Sequence, residues 1–267
     1  MHAIFNGKLI DESEARVSVL DKEYFFDFAV YSSVKVVQGK ISLAEHHIDQ
    51  LFESAKIIGL EHQFKKDAVV SWLNLLVEKD NLVDALLRVI LIGGDEPKLF
   101  IVKVGGLTFY PDKLYRDGAK LITYSGERSI PTAKTKDLLT SFLAYREAKA
   151  RDAIDALLVN REGNIREGTR SNFFVVKGRT IITPPADKIL SGTTRDAIIA
   201  SAKEHFEIVE QNIPITKIKS PALPAGRYDE IFVTSTTLNI MPIRQIDDMI
   251  FKSDLVVTRE LLKMLKK

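Results

Sequence analysis

Apolar residues recur along this chain in two rhythms, and the changes between them mark out its elements. Short apolar runs flank Asn6-Gly7, a hairpin-turn dipeptide, so the first forty residues read as β structure. A strand is expected over residues 30–37, with Gln38-Gly39 as a second turn candidate behind it. From residue 43 to about 58 the period changes: Ile48, Leu51, Phe52, Ala55 and Ile58 recur at spacings of three and four, which predicts a helix stopped by Gly59. Residues 66–79 predict a second amphipathic helix, with Val69, Val70, Trp72, Leu73 and Leu76 on its inner face. Two β runs follow at 85–92 and 99–104, the first ended by Gly93-Gly94.

The segment Phe109-Tyr110-Pro111-Asp112-Lys113-Leu114-Tyr115 mixes a proline with polar and apolar residues and is the best candidate for a domain joint. Beyond it the pattern predicts a strand near 120–123, a helix over 136–151, several strands between 156 and 182, and a helix opening at Gly192. A strand at 229–235 and a terminal helix at 254–265 complete the reading. No internal repeat or low-complexity tract interrupts it. Strands and helices mixed in both halves imply an α+β (mixed α/β) protein of two subdomains, 1–110 and 121–267, joined by a linker at 111–120. A cleft between two such subdomains is a common place for a ligand.

Composition narrows the function. The chain has 267 residues, is 45% hydrophobic and can bury a large core. Charged residues make up 28% but the net charge is only +2, and the lysines and arginines are interspersed with acids, so neither a nucleic-acid footprint nor a basic membrane-binding face is expected. Lys263, Lys266 and Lys267 are expected to end a solvated helix. No apolar run approaches the roughly 20 residues of a membrane span. The residues after Met1 lack the basic-then-apolar order of a signal peptide, so a soluble cytoplasmic protein is expected. Cysteine is absent, which excludes disulfides, thiolate metal sites and cysteine nucleophiles. The five histidines are His2, His46, His47, His62 and His205; only two are adjacent, so no metal site is expected.

The chemistry concentrates in two stretches. Glu167-Gly168-Thr169-Arg170-Ser171-Asn172 places a carboxylate, a glycine, two hydroxyls, a guanidinium and an amide ahead of the apolar run Phe173-Phe174-Val175-Val176. About two dozen residues later, Ser191-Gly192-Thr193-Thr194-Arg195-Asp196 leads into a helix, where backbone N–H groups and hydroxyls receive an anion readily. Together the two could hold both ends of one small molecule, a cationic ring nitrogen and a phosphate. That pairing points to pyridoxal phosphate and calls for a lysine. Thr234-Ser235-Thr236-Thr237 adds four consecutive hydroxyls where a strand leaves the sheet, although such a run is ordinarily a turn or a cap.

These segments, in this order, resemble the fold-type IV pyridoxal phosphate enzymes, the family of the branched-chain and D-amino acid aminotransferases and of aminodeoxychorismate lyase. The likeness runs from the Asn6-Gly7 hairpin to Thr237. It implies the fold-type IV architecture, with pyridoxal 5'-phosphate between the subdomains, and a Schiff-base lysine shortly before a helix ending in Glu-Ala. Two lysines compete in Pro131-Thr132-Ala133-Lys134-Thr135-Lys136; counting back from Arg146-Glu147-Ala148 and the family's Pro-x-x-Lys-Thr pattern both favour Lys134. Cations are disfavoured at helix N-termini, so a lysine placed there is expected to have a specific task. The resemblance implies that the Lys134 amine bonds to the cofactor aldehyde, is displaced by a substrate amine, and then moves a proton between the substrate α-carbon and the cofactor. Glu167 would keep the ring nitrogen protonated; the alternative for it is a salt bridge with Arg161 or Arg166. Ser171, Asn172, Gly192, Thr193, Thr194, Ser235 and Thr236 are the expected cofactor residues. Tyr31, Arg88, Arg170 and Thr237 are the expected substrate residues.

Two departures stand out. The family's His-x-x-Arg-Leu reads His47-Ile48-Asp49-Gln50-Leu51 here, so Gln50 occupies the place of a phosphate-gripping arginine and brings an amide without charge; His47 and Arg195 are candidate compensating cations. The family's glycine-rich segment reads Asp21-Lys22-Glu23-Tyr24-Phe25-Phe26-Asp27-Phe28-Ala29, without its glycines. The expected activity is transamination between an amino acid and a 2-oxo acid, favoured by the form of Glu167 to Asn172. Aminodeoxychorismate lyase activity at the same site is one alternative, and a binding protein that has lost catalysis is another. The resemblance also implies a homodimer.

Overall fold

The computed structural model describes residues 1–107, 109–219, 228–251 and 254–264. The chain divides into two compact units, Met1–Thr108 with Ala133–Asp137, and Phe109–Thr132 with Leu138–Lys267.

The first unit contains β1 (His2–Phe5), β2 (Lys8–Asp11), the short α1 (Lys22–Phe25), β3 (Ala29–Val37), β4 (Lys40–Ile41), α2 (Ala44–Ile57), α3 (Lys66–Lys79), β5 (Ala85–Ile92) and β6 (Lys98–Lys103). The six strands form one sheet in the order β2-β1-β6-β5-β3-β4. Both expected hairpin turns form: Asn6 and Gly7 have φ of 48° and 84°, Gln38 and Gly39 have 49° and 73°, the paired positive values that match the twist of flanking strands. Strand alternation decides which residues go where. Val30, Val34 and Val36 join Leu87, Val89 and Leu91 against Ile48, Leu51, Leu73 and Leu76 of the two long helices. The opposite face carries Ala29, Ile90, Ile92 and Phe100, and by the same parity Tyr31 and Arg88.

Residues 133–137 return to this unit. Tyr31 N–H donates to Lys134 O at 3.0 Å, Lys136 N–H donates to Ala29 O at 2.9 Å, and Thr135 bridges Val30. The expected helix over 136–151 therefore starts late, at Leu139. Lys134 and Lys136 flank the Thr135 bridge to β3 and lie outside any helix, so the reasoning from a helix N-terminus does not apply to either; hydrogen bonding to a strand edge outcompetes the first helical turn.

The second unit contains α4 (Asp112–Asp117), β7 (Ala119–Ser125), α5 (Leu139–Ala150), β8 (Asp155–Val159), β9 (Asn164–Gly168), β10 (Asn172–Lys177), β11 (Thr180–Thr183), α6 (Thr193–Ala202), β12 (Glu207–Glu210), β13 (Ile213–Pro214), α7 (Ile215–Lys219), β14 (Glu230–Ser235), β15 (Asn239–Ile246), β16 (Met249–Ile250) and α8 (Val256–Met264). The stretch 111–120 thus carries a helix and the start of a strand. Residue 265 of the expected terminal helix, with Lys266 and Lys267, lies outside the described residues. The sheet order is β12-β11-β10-β14-β15-β7-β8-β9-β13, with β16 paired to β15. Phe173, Val175, Ile231 and Val233 face one core, while Phe174, Val176 and Phe232 face the other beneath α6 and α8. The Phe174 and Phe232 rings stack there, 4.8 Å apart. Among the described residues no helix is long and apolar enough to cross a membrane.

Candidate active site

The first unit brings Lys134, Tyr31, Arg88 and Gln50 together. The Lys134 N–H donates to Ser54 Oγ at 3.0 Å, and its Nζ donates to Gln50 Oε1 at 3.4 Å. Ser54 and Gln50 stand one turn apart on α2. The Tyr31 ring lies 5.6 Å from Lys134 Nζ and 5.4 Å from the Arg88 guanidinium carbon. Among the described residues Arg88 Nε is buried without a hydrogen-bond partner, a donor free to meet an anion. The rival Lys136 is engaged elsewhere: its amine pairs with Asp27 and lies 4.5 Å from the Tyr24 ring centre. Asp27 has φ of 53°, so an aspartate takes the left-handed turn where a glycine was missing from the sequence pattern.

His47 is not the compensating cation. It is fully buried, shares a 3.3 Å hydrogen bond between Nδ1 and Ser32 Oγ, and has its pKa pushed down to about 3 by burial, with the nearby charges of Lys134 and His46 adding to the effect. An imidazole in that setting is neutral at physiological pH.

In the second unit, Glu167 lies at the end of β9 with its side chain 5% exposed. Its Oε1 lies 3.3 Å from Arg128 Nε and accepts weakly from Leu190 N–H at 3.4 Å. Arg128 is thus an ionic neighbour of Glu167, in place of the expected Arg161 or Arg166. Arg166 turns instead to Glu127, Glu162 and Asn212. The Arg128 side chain is itself buried, and among the described residues neither its Nε nor its Nη1 has a hydrogen-bond partner. It supplies the countercharge that a buried carboxylate needs.

The residues after Glu167 are fixed from below. Asp155, wholly buried, accepts from Thr169 Oγ1 at 2.5 Å, from Ser171 Oγ at 2.7 Å and from the Ala156 and Thr169 N–H groups. Thr169 and Ser171 share Asp155 because the chain turns tightly here, the Gly168 N–H donating to Ser171 O at 2.7 Å, and the segment is not extended. Asn172 Nδ2 donates to Leu190 O at 2.7 Å, and its Oδ1 accepts from Gly192 N–H at 3.2 Å. The side chains of Ser171 and Asn172 are accordingly committed to protein partners, and Asn172 ties the Glu167 strand to the turn that opens α6. Gly192 caps that helix, with half-buried Thr193 and Thr194 in its first turn. Arg195 is no spare cation: it is buried and pairs with Glu210 Oε1 at 2.8 Å. Burial opposes ionisation of Glu210, but the Ala186 N–H and Arg195 outweigh it and hold that carboxyl below its ordinary range.

The hydroxyl run divides. Thr234 is fully buried opposite Asn172, and its Oγ1 has no hydrogen-bond partner. Ser235, Thr236 and Thr237 are half-buried, and Ser235 Oγ accepts from Leu238 N–H at 3.1 Å. Arg170 is exposed, 4.0 Å from the Tyr145 ring centre, and donates to the Tyr110 hydroxyl at 3.3 Å.

Arg128, Asp155 and Ser54 were not singled out from the sequence. Two had a signal: Asp155 opens the otherwise apolar run Asp155-Ala156-Leu157-Leu158-Val159, and Ser54 follows Leu51 and precedes Ala55 on the inner face of its helix.

The family model described as amino-transferase class IV matches residues 29–246. The chain belongs to the class IV aminotransferases. Among relatives of this class IV aminotransferase, a protein of Methanocaldococcus jannaschii provisionally named a branched-chain amino acid aminotransferase is 30% identical over 98% of this chain and 94% of its own length. D-alanine aminotransferase of Bacillus licheniformis is 30% identical over 92% and 89%. The branched-chain aminotransferase of Thermoproteus uzoniensis, solved with norvaline, has the same fold, with a TM-score of 0.86 at 24% identity over 100% and 94%. So does a Legionella pneumophila protein provisionally named 4-amino-4-deoxychorismate lyase, with a TM-score of 0.82 at 23% identity over 96% and 97%. The fold-type IV architecture expected from the sequence is the one found.

Proposed function

We propose that this class IV aminotransferase binds pyridoxal 5'-phosphate and moves an amino group between an amino acid and a 2-oxo acid, with Lys134 as the reactive amine. One observation carries the reading: in the second unit a buried carboxylate, Glu167, touches Leu190, two residues before the helix N-terminus that Asn172 clamps. A group for a ring nitrogen and a turn for a phosphate thus share one neighbourhood. The residues fit the cofactor. Glu167 suits a protonated pyridine nitrogen, and Gly192, Thr193 and Thr194 offer N–H and hydroxyl donors. Ser235 and Thr236 add hydroxyls, and the unpartnered Thr234 hydroxyl lies at the same strand end. When bound, the cofactor supplies an electron sink for the α-carbon pair of the substrate.

The chain's own residues do the rest. Lys134 would be the amine that holds the cofactor through its aldehyde and, once freed by a substrate amine, the base that would move the α-proton. Glu167 would pair with the cofactor ring nitrogen, with Arg128 as its countercharge. Ser171 and Asn172 act by position, through Asp155 and the Leu190–Gly192 turn. Arg88, beside Tyr31, receives the substrate carboxylate, and its unpartnered Nε supports that role. Arg170, held by Tyr110 and Tyr145, and Thr237 are proposed as substrate residues as well. The fold shared with the Legionella protein favours pyruvate release from aminodeoxychorismate as the second reading. We also propose a homodimer, supported by the apolar side chains Leu139 and Phe142 on the open face of α5.

The test is a visible spectrum of purified protein with added cofactor, before and after L- and D-amino acids. A long-wavelength band that shortens with a reactive donor and is absent in Lys134→Ala is expected, with turnover on 2-oxoglutarate or pyruvate. Absence of any band sinks the reading, and pyruvate release without transamination favours the lyase.

A further inference from the structure

Lys134 is held through its N–H, its carbonyl and its amine, and the contact of the amine is distinctive. Its N–H donates to Ser54 Oγ at 3.0 Å and its carbonyl accepts from Tyr31 N–H at 3.0 Å. Its amine donates to the carbonyl oxygen of Gln50, at 3.4 Å. Ser54 Oγ in turn donates to the Gln50 backbone carbonyl at 2.6 Å, so one hydroxyl on α2 joins the lysine backbone to the residue that meets its amine. A guanidinium at position 50 has donors only and could not receive an amine N–H; an amide can. We infer that Gln50 is a positioning residue, which accepts a hydrogen bond from the Lys134 amine and aims it at the cofactor aldehyde, instead of a ligand of the cofactor phosphate.

This rests on the role proposed above for Lys134. In that step the amine nitrogen bonds to the aldehyde carbon, and the aldehyde oxygen leaves as water with the two amine protons. The lone pair must point at that carbon, and a four-carbon side chain otherwise samples many rotamers. An N–H held by Gln50 Oε1 removes much of that freedom. Among the described residues of this unit, the Tyr31 ring lies near both the amine and Arg88, and His47 on α2 is close enough to feel the Lys134 charge, while Lys136 is paired with Asp27. His47 is neutral at working pH, so α2 presents no charge of its own from that position.

Two aldehydes separate the roles, pyridoxal 5'-phosphate and pyridoxal, which lacks the phosphate. The growth of the visible band of lysine-bound aldehyde is followed in wild type, Gln50→Met and Gln50→Glu, with urea midpoints to verify folding. Methionine keeps the length of the side chain and removes the acceptor, so Gln50→Met is expected to react roughly fivefold more slowly with both aldehydes, the weight of about one hydrogen bond. Glutamate keeps an acceptor but favours the ammonium form, so Gln50→Glu is expected to reach the wild-type plateau rate with pyridoxal at a higher pH. Should Gln50→Met fail to fold, the displaced profile of Gln50→Glu carries the test. A Gln50→Met protein that reacts with pyridoxal at the wild-type rate and is impaired only with the phosphorylated aldehyde overturns the inference, as does an undisplaced Gln50→Glu profile. A wild type that forms no band with either aldehyde overturns the role of Lys134 itself.

Discussion

At the scale of single residues, the buried imidazole of His47 has a measurable consequence. In the unfolded chain it takes a proton as pH falls through about 6.5, whereas in the folded protein burial and the neighbouring Lys134 delay this to about 3. The unfolded state therefore holds the extra proton across that window. Stability from this source is complete above pH 6.5 and is lost as pH falls toward 3, with a slope of about 1.4 kcal/mol per pH unit. Between pH 6 and 5 the urea-unfolding free energy of the wild type should drop more steeply than that of His47→Gln, by about that slope. Equal slopes would show that protons reach the ring without unfolding. The same residue illustrates what a one-dimensional pattern hides, since a histidine beside a missing arginine looks like a substitute cation until its burial is known.

Among elements, the segment after β9 depends on close packing around Asp155. A Cβ on Gly168 would overlap Ser171 Oγ and Asp155 Oδ2, neither of which can withdraw without giving up a buried hydrogen bond. Gly168→Ala is expected to lower the unfolding free energy by about 1–3 kcal/mol, because the Asp155–Ser171 contact must give way. Denaturant titration would check this, and a change below about half a kcal/mol would mean that the turn yields. At this scale the sequence was a good guide wherever periodicity ruled. Residues 66–79 and 85–92 form the helix and strand expected of them. It misled around Lys134, where the apolar and basic residues after Ala133 suit a helix. The free edge of β3 offered backbone partners that no local pattern reveals.

For the whole molecule, the expected homodimer bears on α5. Leu139 and Phe142 are 67% and 60% exposed on one side of that helix, an arrangement costly to leave in water. Sedimentation should show a dimer for the wild type and a shift toward monomer for Phe142→Asp. A wild type that sediments as a monomer at micromolar concentration would remove the proposal.

Taken alone, the amino-acid sequence determined the class of fold, most element positions, and the family to which the chain belongs. It did so because hydrophobic period and turn residues act locally, and because Glu167 to Asn172 and Gly192 to Asp196 are contiguous motifs. It also pointed to Lys134 over Lys136. Only the tertiary structure decided how those residues are held. Arg128 stands 39 positions before Glu167 yet lies 3.3 Å from it, and Gln50 stands 84 before Lys134 yet receives its amine. Charge compensation and hydrogen-bond partnership depend on distance in space, and burial sets their strength; neither quantity exists until the chain has folded.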